Sequence, residues 1–327
     1  MNPMASPSPG PGARSDIEDG KVASVNNGRM TWTDILDPTP TETAMLARVY
    51  HFHPLDLEDC LSARPLTKVE DRGDYLFISF QFPDQAGQQI VSRQVSMFLG
   101  KDFLVTIHPS SFETVSALFH SCRDDERERG SLMQSSAYLA YLMIDRSIDS
   151  IFSILDNVQA SLDNIEAIVF DEVKSSATEI NYARRRIASL RRAVYPLQLY
   201  LPDVVKAQKF STEDLSVYFS DIRHKIGRVS ATIEEMKEMV EIYKDTDFVT
   251  SSNRTNTVLA ILTIIFTLTI PATVISSIYG MNVPLPGGSV TGPTGFIGLY
   301  TSMALIFLAM LVPAVLMVLY FKRVGWF

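Results

Sequence analysis

Two stretches near the C-terminal end, residues 257–279 and 299–321, contain no Asp, Glu, Lys or Arg. As an α-helix, each reaches about 35 Å at about 1.5 Å per residue, which is enough to cross a hydrocarbon core of about 30 Å with some tilt. The sequence therefore predicts two membrane-spanning helices in a multi-pass protein of the inner or plasma membrane, in contact with lipid.

Positive charges flank both spans on one side. Arg254 precedes the first span, Lys322 and Arg323 follow the second, and the connector 280–298 carries no charge. Because Lys and Arg are retained on the cytoplasmic side of a membrane, we expect both termini in the cytoplasm. Residues 1–20 are rich in Pro, Ser and Gly, which predicts a disordered tail without a secretory signal.

The rest of the chain reads as a cytosolic α/β domain, residues 21–129. β-rich runs occur at 75–82, 91–99 and 103–107, and 41–49 is a short helical candidate. The alternation of such segments predicts a small sheet that holds the soluble core.

Heptad spacing then predicts a helical hairpin over residues 130–205. Five arginines on its returning helix, 175–201, are expected to form a solvated face. They are Arg184, Arg185, Arg186, Arg191 and Arg192. The first helix of the hairpin has apolar residues in alternating steps of four and three, the repeat of a packing seam. These residues are Ile144, Ile148, Ile151, Leu155, Val158, Leu162, Ile165 and Val169.

One long helix is predicted over residues 212–280, because between 212 and 270 there is no proline and a single glycine, Gly227. It would run from the cytosolic domain into the first span. Its soluble part has a second heptad seam, and acids line another face. A long acidic helix that enters a membrane favours an oligomer, in which copies associate around water or one another.

Several classes of function find no support in the sequence. The net charge of −8 gives nucleic-acid binding little electrostatic basis. Cys60 and Cys122 are too few for a disulfide framework, which agrees with a reducing compartment. No Gly-rich phosphate loop, nucleophile triad or catalytic carboxylate pair is apparent, so we do not expect an enzyme.

Residues 278–282, Ile-Tyr-Gly-Met-Asn, lie at the outer end of the first span. With Asn256 and the run 258–271, they resemble the first transmembrane helix and the GMN signature of the CorA magnesium-transporter family. The likeness covers about residues 30–327. Further matches are His53-Pro54-Leu55 with Glu58-Asp59, Lys68-Val69-Glu70 with Tyr75-Leu76-Phe77-Ile78, Tyr218-Phe219 with Asp221, and Tyr320-Phe321-Lys322.

The resemblance implies an α+β membrane protein that forms a funnel-shaped homopentamer. Five first helices would line the pore, and the second helices, 299–321, would surround them. The loop 281–298 would lie outside the cytoplasm and residues 322–327 inside it. The selectivity filter implied by the resemblance consists of Tyr279, Gly280, Met281 and Asn282. Because Mg²⁺ holds its water shell tightly, neutral oxygens that hydrogen-bond the hydrated ion suit this task.

Further site residues follow from the same resemblance. Asp245 would form a carboxylate ring at the cytosolic mouth, and Asp221 would bind a regulatory Mg²⁺ between subunits, with Asp84 as its candidate partner from the neighbouring subunit. The pore face would carry polar rings at its two ends and apolar rings between them that gate by dewetting. Its residues are Asn256, Leu259, Leu262, Phe266, Ile270 and Thr273.

The sequence leaves the identity of the ion open. Mg²⁺, with Co²⁺ and Ni²⁺ as further candidates, is the first hypothesis, and passive flux would be driven by the ion gradient and membrane potential. The outer loop 283–296 carries no acid, unlike that of many relatives, so the attraction of cations to the outer mouth should be weaker. A zinc transporter of the same superfamily, which shares the pentamer and the motif, is an alternative. An alternative from another functional class is a membrane-anchored coiled-coil scaffold, although a scaffold would give the Gly-Met-Asn segment no function.

Overall fold

The computed structural model describes residues 21–170, 176–281 and 299–325. The chain divides into two compact units, residues 1–168 with 176–244, and residues 169–175 with 245–327. The predicted N-terminal tail and outer loop lie outside the described residues. The domain boundaries drawn from the sequence remain a prediction.

The first unit contains a six-stranded sheet with the order β1-β2-β6-β5-β4-β3. Only β2 and β6 pair in parallel, and the other neighbours are antiparallel. The three β-rich runs are confirmed as β4, β5 and β6, whereas the sequence did not reveal β1, β2 and β3. The strands are β1 (Val22–Asn26), β2 (Thr31–Leu36), β3 (Lys68–Asp71), β4 (Leu76–Ala86), β5 (Gln89–Leu99) and β6 (Phe103–His108).

Two short helices, α1 (Pro40–Tyr50) and α2 (Pro54–Cys60), pack with the sheet. The helix expected at 41–49 is thus confirmed as α1, and Thr39 and Glu42 close a capping box at its start. The core between helices and sheet is apolar and aromatic, with the rings of Phe52 and Phe98 stacked at 4.1 Å. Burial of such rings supplies the main driving force for this packing.

A buried carboxylate fixes α2 to the sheet. Asp56 is fully buried and accepts two hydrogen bonds from the Arg72 guanidinium, at 2.9 and 2.6 Å, and one from the Tyr75 hydroxyl at 2.8 Å. A carboxylate that is removed from water must be paired in this way, because burying it unpaired costs several kcal/mol of folding free energy.

Four further helices follow in the first unit and lead into its long helix. They are α3 (Glu113–Asp124), α4 (Glu126–Leu132), α5 (Ser136–Val169) and α6 (Ala177–Tyr200). The predicted hairpin is confirmed as α5 and α6, and all eight residues of the α5 seam are buried. A 3-10 segment, Leu201–Phe210, ends it, with Pro202 in its first turn.

The arginines of α6 correct one expectation. Arg184, Arg185, Arg191 and Arg192 are exposed, as a solvated face requires, but Arg186 is buried. Its Nη1 donates to Ser161 Oγ of α5 at 3.0 Å. The heptad spacing of α6 therefore places position 186 on the face that packs against α5.

One helix, α7 (Ser216–Tyr279), contains 64 residues. Its heptad seam is confirmed, since its members are buried in the first unit. They are Ile226, Val229, Ile233, Met236, Val240 and Tyr243. Beside the seam, Arg191 and Arg184 of α6 form ion pairs with Glu234 and Glu241 at 2.6 and 3.8 Å.

The second unit contains the C-terminal part of α7 and the helix α8 (Leu299–Val324). Both helices are long and apolar enough to cross a membrane, as the sequence predicted. Their large apolar side chains are mostly exposed. Half-buried residues recur every three or four positions, such as Ile264, Leu268 and Ile275 on α7.

Candidate ion pathway and regulatory acids

The predicted filter begins where α7 ends. Tyr279 is the last helical residue, Gly280 N–H donates to the Ser276 carbonyl at 2.9 Å, and Met281 N–H donates to the Ile278 carbonyl at 3.2 Å. A Cβ added at Gly280 would lie 3.1 Å from the Ser276 oxygen, closer than ordinary van der Waals contact. Glycine is therefore favoured by the close approach of backbone at this turn. Asn282 lies outside the described residues.

The predicted pore-lining residues are exposed and lie along one stripe of α7, but exposure does not distinguish them, since Val258, Ile261 and Ile265 on other faces are between 51% and 52% exposed. Leu259, Leu262, Phe266 and Ile270 are between 43% and 61% exposed, and Asn256 and Thr273 are exposed as well. Phe266, which is large for a pore position, belongs to the same exposed set. Their steps of three and four place all six on one helix face, apart from the half-buried residues of the same helix.

Threonines of α7 donate hydrogen bonds to backbone carbonyls of their own helix, a feature that the amino-acid sequence does not reveal. Thr273 Oγ1 donates to the carbonyls of Thr269 and Ile270 at 3.1 and 3.0 Å, and Thr263 Oγ1 donates to the Leu259 carbonyl at 2.7 Å. The hydroxyl hydrogen is thus used within the helix, so the oxygen presents its lone pairs outward. Thr273 consequently acts as an acceptor, which suits a cation or the water bound to it.

Asp245 is exposed and lies on α7 within the second unit. Steps of four, three and four residues, through Val249 and Ser252, connect it to Asn256. It therefore continues the exposed stripe by helical spacing. A carboxylate here would attract cations towards that end of the stripe.

Asp221 lies beside a lysine and two further acids, in an arrangement the sequence did not reveal. The Lys225 Nζ lies 2.6 Å from Asp145, 2.9 Å from Asp149 and 3.9 Å from Asp221. Burial alone would lower the pKa of Lys225, but its hydrogen bonds to Asp145 and Asp149 outweigh burial and raise it. Burial, with the charges of Asp145 and Asp221, raises the pKa of Tyr141 to about 12. Lys225 is therefore a permanent cation in this cluster, called here the Lys225 cluster.

Asp84 lies near the tip of the β4–β5 hairpin and is also paired within the chain. Its Oδ2 accepts a hydrogen bond from Arg93 Nε at 3.2 Å, and its Oδ1 accepts the Gln85 N–H at 2.9 Å. The hairpin tip is held by Asn157 of α5, which donates to the Gln85 side chain at 3.1 Å. Asp84 and Asp221 thus have different partners within one copy of the chain.

Metal-ligating side chains are otherwise dispersed. Within residues 21–170, 176–281 and 299–325, no three His, Cys, Asp or Glu side chains are grouped so as to hold a metal ion. Mg²⁺ takes six oxygen ligands in octahedral geometry, and several of them are usually waters. A regulatory ion at either acid would therefore depend on water or on another copy of the chain.

Comparison with known proteins gives consistent matches over most of the chain. A sequence model of the family described as "CorA-like Mg2+ transporter protein" matches residues 27–323. The chain is 27% identical over 309 residues to the putative metal ion transporter YfjQ of Bacillus subtilis, which covers 90% of this chain and 89% of that protein. It is 29% identical over 304 residues to the cobalt/magnesium transport protein CorA of Thermotoga maritima, with 90% and 83% covered.

The fold also matches a solved structure. The complete structure of the CorA magnesium transporter from Methanocaldococcus jannaschii aligns with a TM-score of 0.70 at 20% identity. The alignment covers 93% of this chain and 94% of that one. At this identity the match supports the architecture, namely an N-terminal α/β domain, a long helix and a second apolar helix.

Proposed function

The chain belongs to the CorA-like Mg²⁺ transporter protein family, and from this premise we propose that it is a channel for Mg²⁺, with Co²⁺ and Ni²⁺ as further candidate ions. As a member of this family it is a divalent-cation transporter with two candidate membrane spans. The observation that carries the proposal is the exposed stripe of α7, which presents a hydroxyl acceptor at Thr273 and leads towards Gly280 and Met281.

The pore is proposed to form from several copies of α7, five by resemblance to the family, with both termini in the cytoplasm. In such an assembly each position of the exposed stripe becomes a ring. Rings of Leu259, Leu262, Phe266 and Ile270 would form an apolar constriction that gates by dewetting. A ring of Asp245 would concentrate cations at the cytosolic mouth, and the membrane potential would drive their flux.

Selectivity is proposed to rest on neutral oxygen atoms that bind the hydrated ion. Mg²⁺ loses its water reluctantly, so a filter that accepts hydrogen bonds from bound water avoids the cost of dehydration. The side-chain oxygen of Asn282 would supply such acceptors next to Gly280 and Met281, with Tyr279 at the helix end. Thr273 supports this mechanism, because its own hydrogen is bonded within the helix and its lone pairs can accept from the waters of the ion.

Regulation is proposed to involve Asp221 of one copy and Asp84 of its neighbour. A divalent ion between them would screen the repulsion of the carboxylates and favour the closed state. When cytosolic Mg²⁺ falls, the acids repel one another and the population shifts towards the open state. Support comes from the exposure of Asp221, whose side chain is 55% exposed.

Flux in liposomes tests the transport proposal directly. Purified protein is reconstituted with a Mg²⁺-sensitive dye inside the vesicles, and wild type is compared with Asn282→Ala. We expect dye response in wild type and a strongly reduced response in the variant. No response in either would contradict the channel and favour a scaffold.

A zinc transporter of the same superfamily is the second candidate, because the outer loop 283–296 carries no acid and so contributes no charge to the choice of ion. Without that charge, the attraction of cations to the outer mouth is weaker and the filter alone must select the ion. The same liposomes with a Zn²⁺-sensitive dye separate the two candidates. Flux of Zn²⁺ equal to or above that of Mg²⁺ would favour the second.

A further inference from the structure

The Lys225 cluster places a fixed positive charge among carboxylates of α5 and α7. The Lys225 ammonium is within hydrogen-bond distance of Asp145 and Asp149, at 2.6 and 2.9 Å, but 3.9 Å from Asp221. The side chain of Asp145 is only 16% exposed, whereas that of Asp221 is 55% exposed. The ammonium is therefore held mainly by α5, and Asp221 is within its field but open to solvent.

This arrangement leaves the cluster with more negative than positive charge. Three carboxylates face one ammonium, so a second cation is attracted to the exposed side, where Asp221 lies. Lys225 Nζ lies 3.9 Å from the Asp221 carboxylate and a Mg–O contact adds about 2.1 Å, so an ion bound to Asp221 lies about 6 Å from the Lys225 charge and the two cations repel. The oxygens of Asp145 and Asp149 nearest the cluster are already used by the ammonium.

We propose that Lys225 is an internal competitor of the regulatory divalent ion. Its ammonium neutralises the carboxylates of α5 and weakens the binding of a divalent cation at Asp221. Lys225 thereby sets the cytosolic Mg²⁺ concentration at which transport is inhibited. This inference rests on the proposed regulatory role of Asp221 and adds a residue that tunes it.

The expected effect is a shift in concentration dependence and not a loss of transport. One unit charge about 6 Å away in water changes the binding of a monovalent cation about threefold, and a divalent cation, which feels twice the repulsion energy, squares this factor to about tenfold. Removing the charge of Lys225 should therefore lower the Mg²⁺ concentration for half-maximal inhibition by about tenfold.

The test uses the full-length protein in liposomes and in detergent. Mg²⁺ flux is measured against internal Mg²⁺ concentration, and protection from limited proteolysis is titrated with Mg²⁺ as a second readout. Lys225→Met should shift both midpoints about tenfold lower, whereas Lys225→Arg should stay within twofold of wild type. Lys237→Met is the matched control, because Lys237 is a half-exposed lysine of α7 that pairs with Glu234 of its own helix at 2.9 Å.

Lys225→Gln is a second variant in case the Lys225→Met protein aggregates, because glutamine removes the charge and keeps a hydrogen-bond donor. Asp221→Ala separates this inference from the proposed function. If Asp221→Ala abolishes the Mg²⁺ dependence and the neutral Lys225 variants keep the wild-type midpoint or raise it, the inference is wrong and the proposed regulation stands. If Asp221→Ala keeps the wild-type dependence, the proposed regulation fails and the inference fails with it.

Discussion

Gly280→Ala tests whether close backbone packing at the end of α7 supports ion selection. The new Cβ would lie 3.1 Å from the Ser276 carbonyl oxygen, about 0.3 Å short of the 3.4 Å at which ordinary contact begins. The same oxygen accepts the Gly280 N–H at 2.9 Å, so relief of the clash lengthens this hydrogen bond. The cost is about 1 kcal/mol per copy, comparable to one hydrogen bond. In the proposed assembly of several copies this cost recurs in each, and a total of about 2.7 kcal/mol already corresponds to a hundredfold fall, so we expect Mg²⁺ flux to fall at least hundredfold.

Gly227→Ala is the matched control on the same helix. A Cβ at Gly227 meets no atom within 4 Å, and alanine favours a helix over glycine by about 1 kcal/mol. This variant should therefore show wild-type flux and an unchanged or slightly higher melting temperature. Both variants are compared for oligomer size by chromatography and then for flux in liposomes. Wild-type flux from Gly280→Ala protein would refute the reasoning, as would an equal loss in both variants.

Three further predictions follow from contacts outside this turn. Asp56→Ala leaves the Arg72 guanidinium without its buried partner, so we expect about 3 kcal/mol less stability, seen as a lower melting temperature of the full-length protein. Thr273→Val removes a hydrogen-bond acceptor, and the bond that it accepts contributes about 1 to 1.5 kcal/mol. The variant should therefore reduce Mg²⁺ flux about tenfold, whereas Thr273→Ser should transport normally. Burial, with the hydrogen bond to Glu166, raises the pKa of Tyr243 from 10.0 to about 12, so its stabilisation is complete below pH 10 and is lost as pH rises to about 12. Tyr243→Phe should reduce this loss in melting temperatures measured across that range.

Long periodic patterns allowed much of the helical architecture to be predicted. The seam of α5 and the apolar spans extend over many turns, so the periodic signal accumulates along the sequence. The short strands could not be predicted in this way. β1 and β2 contain five and six residues, and β2 pairs with β6, which is far away in the sequence. No local pattern encodes a partner at such a distance, and these strands were missed.

The same limit applies to the candidate site. The placement of the predicted pore residues on one face of α7 follows from helical spacing, and the position of Gly280 follows from its motif. Lys225 could not be assigned in advance, because its partners Asp149 and Asp145 lie 76 and 80 residues earlier in the chain. The only signal was the heptad pattern of both helices, which predicts that they pack but not which charges meet.

The exposed apolar side chains of α7 and the hydroxyl of Thr273 both favour the proposed assembly. Two apolar helices in a copy can cover only one side of each other, and Leu259, Phe266 and Ile270 remain more than half exposed on α7. A stripe that carries Thr273 with its lone pairs outward is a poor surface for lipid, which offers no hydrogen-bond donor. It is a suitable surface for a water-filled pore, which one copy cannot enclose. The α7 face proposed to conduct ions would therefore be completed by further copies of the same chain.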